Sequence, residues 1–159
     1  IVEIFPIDEI LKQAKESTIR YSNNQTLGGF DGIPFTIKDS ILCDIKNKMT
    51  EMGSNISHLD DSKEGGLFGI PEQTSPQITM LLESGAIPIC ITTCPELGHK
   101  GLTTSYLRGI TRNPHDQTLS TGGSSGGSAA LVALNICGNI SIGTDGGGSI
   151  RIPAGWCGV

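Results

Sequence analysis

The pattern of apolar and polar positions predicts helices that alternate with strands. Apolar residues recur at helical spacing between Pro6 and Ser17, with acidic residues early and lysines later, which favours an amphipathic surface helix. The apolar stretch Phe30 to Asp39 contains β-branched residues, so it predicts a strand with Lys38 near its end. A second helix is expected between Ser75 and Gly85, because serine, proline and glycine mark its ends.

The pattern then repeats. Ala86 to Thr92 and Asn139 to Thr144 are apolar and suit buried strands, whereas the Ala/Leu-rich stretch Ser128 to Leu134 suits a helix. Helices that alternate with strands predict an α/β fold, a sheet covered by helices. Residues 49–73 lack sustained periodicity and are expected to form a long irregular connection, with His58 exposed.

Length and charge narrow the class of protein. The 159 residues are enough for a domain with its own core, and the net charge of −5 without a basic run argues against a nucleic-acid surface. No apolar run is long enough for a transmembrane helix, and no signal peptide is recognisable, so a cytoplasmic location is expected. The sequence starts without methionine and stops after a dense motif region. We therefore expect residues 1–159 to be the N-terminal part of a longer domain.

Cysteine and histidine positions do not predict a metal site. His99 and His115 lie in the loop-rich stretch 94–118 without ligand spacing to a second residue, so metal coordination by them is not expected. The five cysteines form no CxxC pair and are odd in number, which favours buried or free thiols in a reducing compartment.

Two glycine-rich, serine-bearing turns dominate the stretch Ser120 to Arg151. Gly122 to Gly127 precedes the predicted helix, and Gly146 to Gly148 follows the predicted strand. Free N–H groups at a helix N-terminus, or in a row along a turn, can hold a negatively charged oxygen.

Three familiar glycine motifs can be compared with these turns. Neither turn matches the dinucleotide pattern G-x-G-x-x-G, and neither has the lysine of a P-loop. Gly123, Ser125 and Gly127 do match the nucleophile elbow G-x-S-x-G. That motif needs a histidine after the serine, and all three histidines precede it, so this alternative depends on residues beyond Val159.

Because no histidine follows the glycine-rich turns, lysine is the available residue type that could act as a base. Lys38 lies among apolar residues, where burial would lower the pKa of its amine toward that of a usable base. A neutral lysine can take a proton from one serine. That serine in turn takes the proton of a second serine, and the second serine attacks a carbonyl.

Three segments, in this order, resemble the amidase signature family: GIPFTIKDS at 32–40, STGGSSGGSAA at 120–130 and GTDGGGSIRIPA at 143–154. The resemblance extends from about residue 29 to residue 159. It implies an α/β/α sandwich with a mixed central sheet. The chain departs from the family at Thr121, where proline is common, and in a slightly longer stretch between the two serines.

The resemblance also implies the roles of the site residues. Lys38 would be the base, Ser124 the bridging serine after a cis peptide bond, and Ser149 the nucleophile, with Ser125 as the alternative bridging serine. The implied oxyanion donors are Gly146, Gly147 and Gly148. The implied supporting residues are Ser125, Asp145 and Arg151.

The resemblance implies an enzyme that hydrolyses linear carboxylic amides, without metal or cofactor. Its expected partner is a small-molecule amide, and the chain could form a homo-oligomer. Two alternatives remain: the A subunit of the glutamyl-tRNA amidotransferase, which releases ammonia, and a non-enzymatic remnant.

Overall fold

The structure, a computed structural model, describes residues 1–45, 50–54 and 73–159. Helices and strands within these ranges are numbered in chain order. The helices are α1 (Ile7–Ser22), α2 (Pro76–Glu83), α3 (Gly126–Leu134) and α4 (Arg151–Cys157). The strands are β1 (Glu3–Ile4), β2 (Pro34–Lys38), β3 (Ile87–Thr92), β4 (Thr104–Ser105), β5 (Gly109–Ile110) and β6 (Ile140–Ile142).

One sheet of four strands, in the order β1-β3-β2-β6, forms the centre of the fold. β2 runs parallel to both β3 and β6, whereas the short β1 pairs antiparallel with β3. Ile37 of β2 lies beside Ile91 of β3 and Ile142 of β6. The carboxyl ends of the three parallel strands therefore meet at one edge, and the mixed central sheet implied by the resemblance is confirmed.

One face of the sheet carries the hydrophobic core. Phe35 and Ile37 project from β2 and are fully buried, since residues two apart in a strand share a face. Ile78 of α2 belongs to the same cluster, and Ile10 of α1 packs against it. Burial of each large apolar side chain contributes about 1.5–3 kcal/mol. This contribution holds α1 and α2 against the sheet.

The opposite face is polar. Thr36 and Lys38 lie on it, and Thr36 Oγ1 donates a 2.6 Å hydrogen bond to Ser141 Oγ of β6. Thr92 Oγ1 of β3 and Ser128 Oγ of α3 lie 2.8 Å apart. α3 therefore covers the polar face, so helices lie on both faces of the sheet as predicted.

Two elements have no clear sequence pattern. β1 consists of two exposed residues, and its pairing is determined by the free edge of β3. α4 contains Pro153 and Gly155, which oppose helix formation in general. Proline is tolerated here because it lies in the first turn, where its missing N–H would have no partner within the helix.

Element boundaries also differ from the prediction. α1 continues past Ser17 to Ser22, and α3 begins at Gly126 rather than Ser128. A Cβ atom on Gly127 would lie 2.5 Å from the backbone nitrogen of Thr93. Glycine is therefore required there because the first turn of α3 packs directly against backbone.

The regions that the sequence predicts to be irregular are largely irregular in the structure. Residues 94–118 contain only a 3-10 turn at Glu96–Gly98 and the short β4–β5 hairpin. Of the predicted connection 49–73, the structure describes residues 50–54 and 73, and His58 lies outside the described residues.

The cysteines agree with the expectation of buried or free thiols. All five cysteines are free, and four of them are buried: Cys43, Cys90, Cys94 and Cys157. Among the helices of the described ranges, none combines the length and the apolar composition needed to cross a membrane.

Candidate active site

Lys38 lies at the carboxyl end of β2, on the polar face of the sheet. Only 1% of the residue is exposed. Its Nζ donates hydrogen bonds to Ser124 Oγ at 2.7 Å and to Thr144 Oγ1 at 2.8 Å. Both of these partners are uncharged hydroxyl groups, so they orient the amine without neutralising a charge on it.

The pKa of Lys38 lies below its ordinary value of 10.5, and burial is the main cause. Desolvation penalises the protonated amine, whereas nearby Cys94 and Asp145 favour it and act in the opposite direction. The burial effect is the largest, so the neutral amine becomes available at lower pH than in a solvated lysine. The direction of the shift agrees with the sequence-based expectation.

Ser124 lies in the turn before α3, and the Gly123–Ser124 peptide bond is cis. Gly122 has a φ of +76°, in the left-handed region that favours glycine. A Cβ atom on Gly123 would lie 2.9 Å from backbone atoms of residues 100–102. The turn is thus confined between α3 and this loop, which holds the buried Ser124 hydroxyl at Lys38.

Ser125 has a different environment. Its Oγ lies 3.5 Å from the carbonyl oxygen of Thr144, and its N–H donates a 3.0 Å hydrogen bond to the carbonyl oxygen of Ser149. The Ser125 side chain lines a separate cavity of about 100 Å³ beside α3 and α4. Ser125 therefore ties the two glycine-rich turns together, and Ser124 is the serine in contact with Lys38.

Asp145 organises the turn between β6 and α4. Its carboxylate accepts N–H groups from Gly148 at 2.7 Å and from Ile150 and Arg151 at 3.1 Å each. The Arg151 guanidinium adds a two-armed ion pair, with both contacts at 2.9 Å. The arginine, followed by the backbone donors, holds the pKa of Asp145 well below its usual range. The carboxylate that shapes this turn is therefore ionised at neutral pH.

The two glycine-rich turns and the end of β2 border a cavity of about 590 Å³. Lys38, Ser124 and Ser149 all line it, together with Gly146 and Gly147. Other parts of its wall come from Ser40, Met52, residues 97–101, Thr144 and Ile152. The three residues of the predicted relay therefore share one cavity.

Gly148 differs from the other two glycines of its turn. Its N–H donates to Asp145, so this group is engaged in holding the turn and does not face an oxyanion. Its φ of +110° explains the requirement for glycine at this position. Gly146 and Gly147, which line the cavity, are the two predicted donors that remain in place for the role.

Thr144 is a residue of the candidate site that the sequence reasoning missed. It is the last residue of the predicted strand and lies two residues after the end of β6, and its hydroxyl contacts the Lys38 amine. The available signal was its place at the carboxyl end of a strand, because neighbouring parallel strands bring such residues to one edge.

His99 and His115, the two histidines that the structure describes, have separate surroundings. His115 Nε2 lies 2.8 Å from the carbonyl oxygen of Cys157, whereas His99 borders the cavity. In the part of the chain that the structure describes, no three His, Cys, Asp or Glu residues are grouped to hold a metal ion.

Comparison with known families identifies the family of this chain. The family model described as Amidase matches residues 2–159. The chain belongs to the amidase family. The resemblance carried by the three segments at 32–40, 120–130 and 143–154 is thereby confirmed.

Individual relatives are similar to this chain over almost its whole length. A fatty acid amide hydrolase from Arabidopsis thaliana is 40% identical over 98% of the chain. The A subunit of a glutamyl-tRNA(Gln) amidotransferase from Brachyspira hyodysenteriae is 39% identical over 99%. The solved structure of native peptide amidase from Stenotrophomonas maltophilia has a TM-score of 0.78 at 30% identity over 97% of the chain. The amidase chain spans between 24% and 30% of the length of these three proteins.

Proposed function

We propose that this amidase hydrolyses a linear carboxylic amide through an acyl-serine intermediate, with Lys38, Ser124 and Ser149 as the proton relay. The observation that carries the proposal is the 2.7 Å contact between Lys38 Nζ and Ser124 Oγ, in the cavity that Ser149 also lines. A buried amine with a lowered pKa and a hydroxyl partner is suited to proton exchange.

In the first step, neutral Lys38 takes the proton of Ser124 while Ser124 takes the proton of Ser149. The Ser149 oxygen forms a bond to the amide carbon, and the carbonyl electrons move to oxygen. The N–H groups of Gly146 and Gly147 stabilise that oxyanion, a contribution of about 3 kcal/mol per donor in typical acyl-transfer sites.

In the second step, the protons travel back. Ser124 donates a proton to the leaving nitrogen and recovers one from the Lys38 ammonium. The oxyanion electrons re-form the carbonyl, so the C–N bond breaks and ammonia or an amine departs. Water then attacks the acyl-serine and gives up its proton along the same relay. The products are a carboxylic acid and the restored Ser149.

Labelling with a serine-reactive fluorophosphonate tests this proposal. Peptide mapping by mass spectrometry should find the label on Ser149 in the wild-type protein and no label in Ser149→Ala. A label on Ser125 would instead indicate a nucleophile elbow and would overturn the relay.

A second candidate function is that of the ammonia-releasing A subunit of a glutamyl-tRNA amidotransferase. The 39% identity to the Brachyspira hyodysenteriae protein supports this candidate. Glutamine hydrolysis that depends on charged tRNA and on a partner protein would favour it, whereas turnover of simple aliphatic amides by the protein alone would favour the hydrolase. A folded protein without turnover of any amide would identify a non-enzymatic remnant.

A further inference from the structure

The segment 50–54 contributes one residue, Met52, to the lining of the cavity that Lys38 and Ser149 also line. We propose that Met52 determines which amides the site accepts, by limiting the size of an uncharged, apolar substituent on the substrate. This inference rests on the amide hydrolysis proposed above and specifies its substrate class.

The first argument is that Asp39 anchors the segment 50–54 next to Lys38, the proposed base. Asp39 directly follows Lys38 in the chain and is only 2% exposed. Its two carboxylate oxygens accept the N–H groups of Glu51 at 3.1 Å and Gly53 at 3.3 Å, and its carbonyl oxygen accepts the N–H of Met52 at 3.3 Å. The position of Met52 is therefore fixed relative to Lys38.

The second argument is that residues 94–97 also hold the segment 50–54 in place. The Leu97 N–H donates a 2.8 Å hydrogen bond to the carbonyl oxygen of Met52. A Cβ atom on Gly53 would lie only 2.6 Å from the carbonyl oxygen of Cys94, so the backbones are in close contact. The Met52 backbone cannot retreat from the cavity without breaking these contacts.

An ion pair completes the anchoring. The Arg108 guanidinium lies 2.6 Å from the carboxylate of Glu51, whose side chain is 7% exposed. Partly buried charged pairs of this kind hold their geometry better than solvent-exposed pairs. Because the backbone is fixed, the space at this wall depends on the side chain at position 52.

The third argument is the chemistry of the wall. Leu97 and Ile152 line the same cavity as Met52, so an apolar surface lies in one space with the proposed nucleophile. Lys100, which also lines the cavity, has its ammonium 3.3 Å from the Glu96 carboxylate and is therefore already paired with an acid. The wall favours alkyl or aryl substituents over charged ones, and methionine adapts to their shape because its side chain is unbranched.

Two substitutions at one position separate size from polarity. Met52→Ala enlarges the cavity, whereas Met52→Gln keeps nearly the same length and makes the wall polar. Met80→Ala is the matched control, because Met80 belongs to α2, is 67% exposed and does not line the cavity. Thermal unfolding of each variant establishes that it is folded before its kinetics are compared.

The substrates are two series of amides measured with the complete protein. Linear primary amides from acetamide to octanamide lengthen the acyl side, and N-alkyl acetamides lengthen the amine side. Met52→Ala should raise the ratio of kcat/KM between long and short substituents by about tenfold or more in one series, because small changes in apolar contact discriminate substrates by roughly this factor. Met52→Gln should lower the same ratio, and Met80→Ala should leave it unchanged.

Two failures can be told apart. If the wild-type protein hydrolyses amides and both Met52 variants keep its chain-length profile in both series, the assignment of Met52 is overturned while amide hydrolysis stands. If the folded wild-type protein hydrolyses no amide of either series, the proposed function fails and the inference fails with it.

Discussion

Lys38 Nζ and Ser124 Oγ lie 2.7 Å apart although 86 residues separate them in the chain. The contact joins the carboxyl end of the central strand to the turn before α3. The two-residue alternation of β2 puts Phe35 and Ile37 into the core and Lys38 onto the polar face that α3 covers. Proton exchange at this contact depends on the charge state of the amine and on the groups that orient it.

Amide hydrolysis should increase with pH as Lys38 loses its proton. Below the pKa of Lys38 the amine is protonated and cannot accept a proton, and above it the lone pair is available. Because burial lowers the pKa of Lys38 below 10.5, the rate should rise at lower pH than it would with a solvated lysine. Initial rates measured between about pH 6 and about pH 9 test this increase in rate with pH.

Lys38→Met is the matched control, since it keeps an unbranched side chain of similar length and removes the amine. The variant should lose the alkaline limb along with most of its activity. A wild-type rate that stays flat over the same range would contradict a lysine base.

Thr144→Val should lower kcat with little change in KM. The substitution keeps the shape of the side chain but removes the hydroxyl that accepts a hydrogen bond from Lys38. One such bond contributes about 1 kcal/mol, which corresponds to a loss of roughly five- to tenfold in rate. Thr144→Ser retains the hydroxyl and should retain most of the activity. Equal losses in both variants would show that packing, not the hydrogen bond, matters at this position.

Arg151→Lys should slow labelling of Ser149 although the positive charge is retained. A lysine cannot reproduce the two parallel contacts that the guanidinium makes with Asp145, so the turn that carries Gly146 to Ser149 becomes less ordered. Stopped-time labelling with fluorophosphonate gives the rate, and circular dichroism checks the fold. A labelling rate equal to that of the wild type would show that the backbone donors to Asp145 are sufficient.

Gly127→Ala should destabilise the fold, whereas Gly155→Ala should not. A methyl group at position 127 meets the backbone of Thr93 at the start of α3, and overpacking of this kind costs about 1–3 kcal/mol. Among the described residues, no atom lies within 4 Å of a Cβ atom at position 155 in α4, so alanine there should be neutral or stabilising by up to about 1 kcal/mol. Urea unfolding of both variants measures the difference.

The fold was largely predictable because its sheet is built from segments with clear local patterns. The apolar stretches that end at Lys38 and Thr92 became β2 and β3, and Ser75 and Gly85 bracket α2 as expected. β1 could not be predicted, since its two residues pair with β3 only because an edge is available. α4 was missed because local propensity disfavours Pro153 and Gly155, whereas their positions within the helix tolerate them.

The candidate site, like the fold, could be predicted from the sequence only in part. Lys38 and Ser149 could be located because each belongs to a distinctive motif, and the structure puts both on one cavity. The contact of Thr144 with Lys38 depends on the parallel pairing of β2 with β6, which no local pattern reveals. The engagement of the Gly148 N–H depends likewise on where the Asp145 side chain folds back.

The parallel pairing of β2 with β6 has a consequence for folding. The segments that bear Lys38, Ser124 and Thr144 meet only after long stretches of chain have been closed, and such contacts form slowly because loop entropy opposes them. If Ser149 is the nucleophile proposed above, it would therefore lack its relay while the chain is still being assembled. Such a nucleophile would be chemically silent in immature molecules and would become reactive only when the sheet is complete.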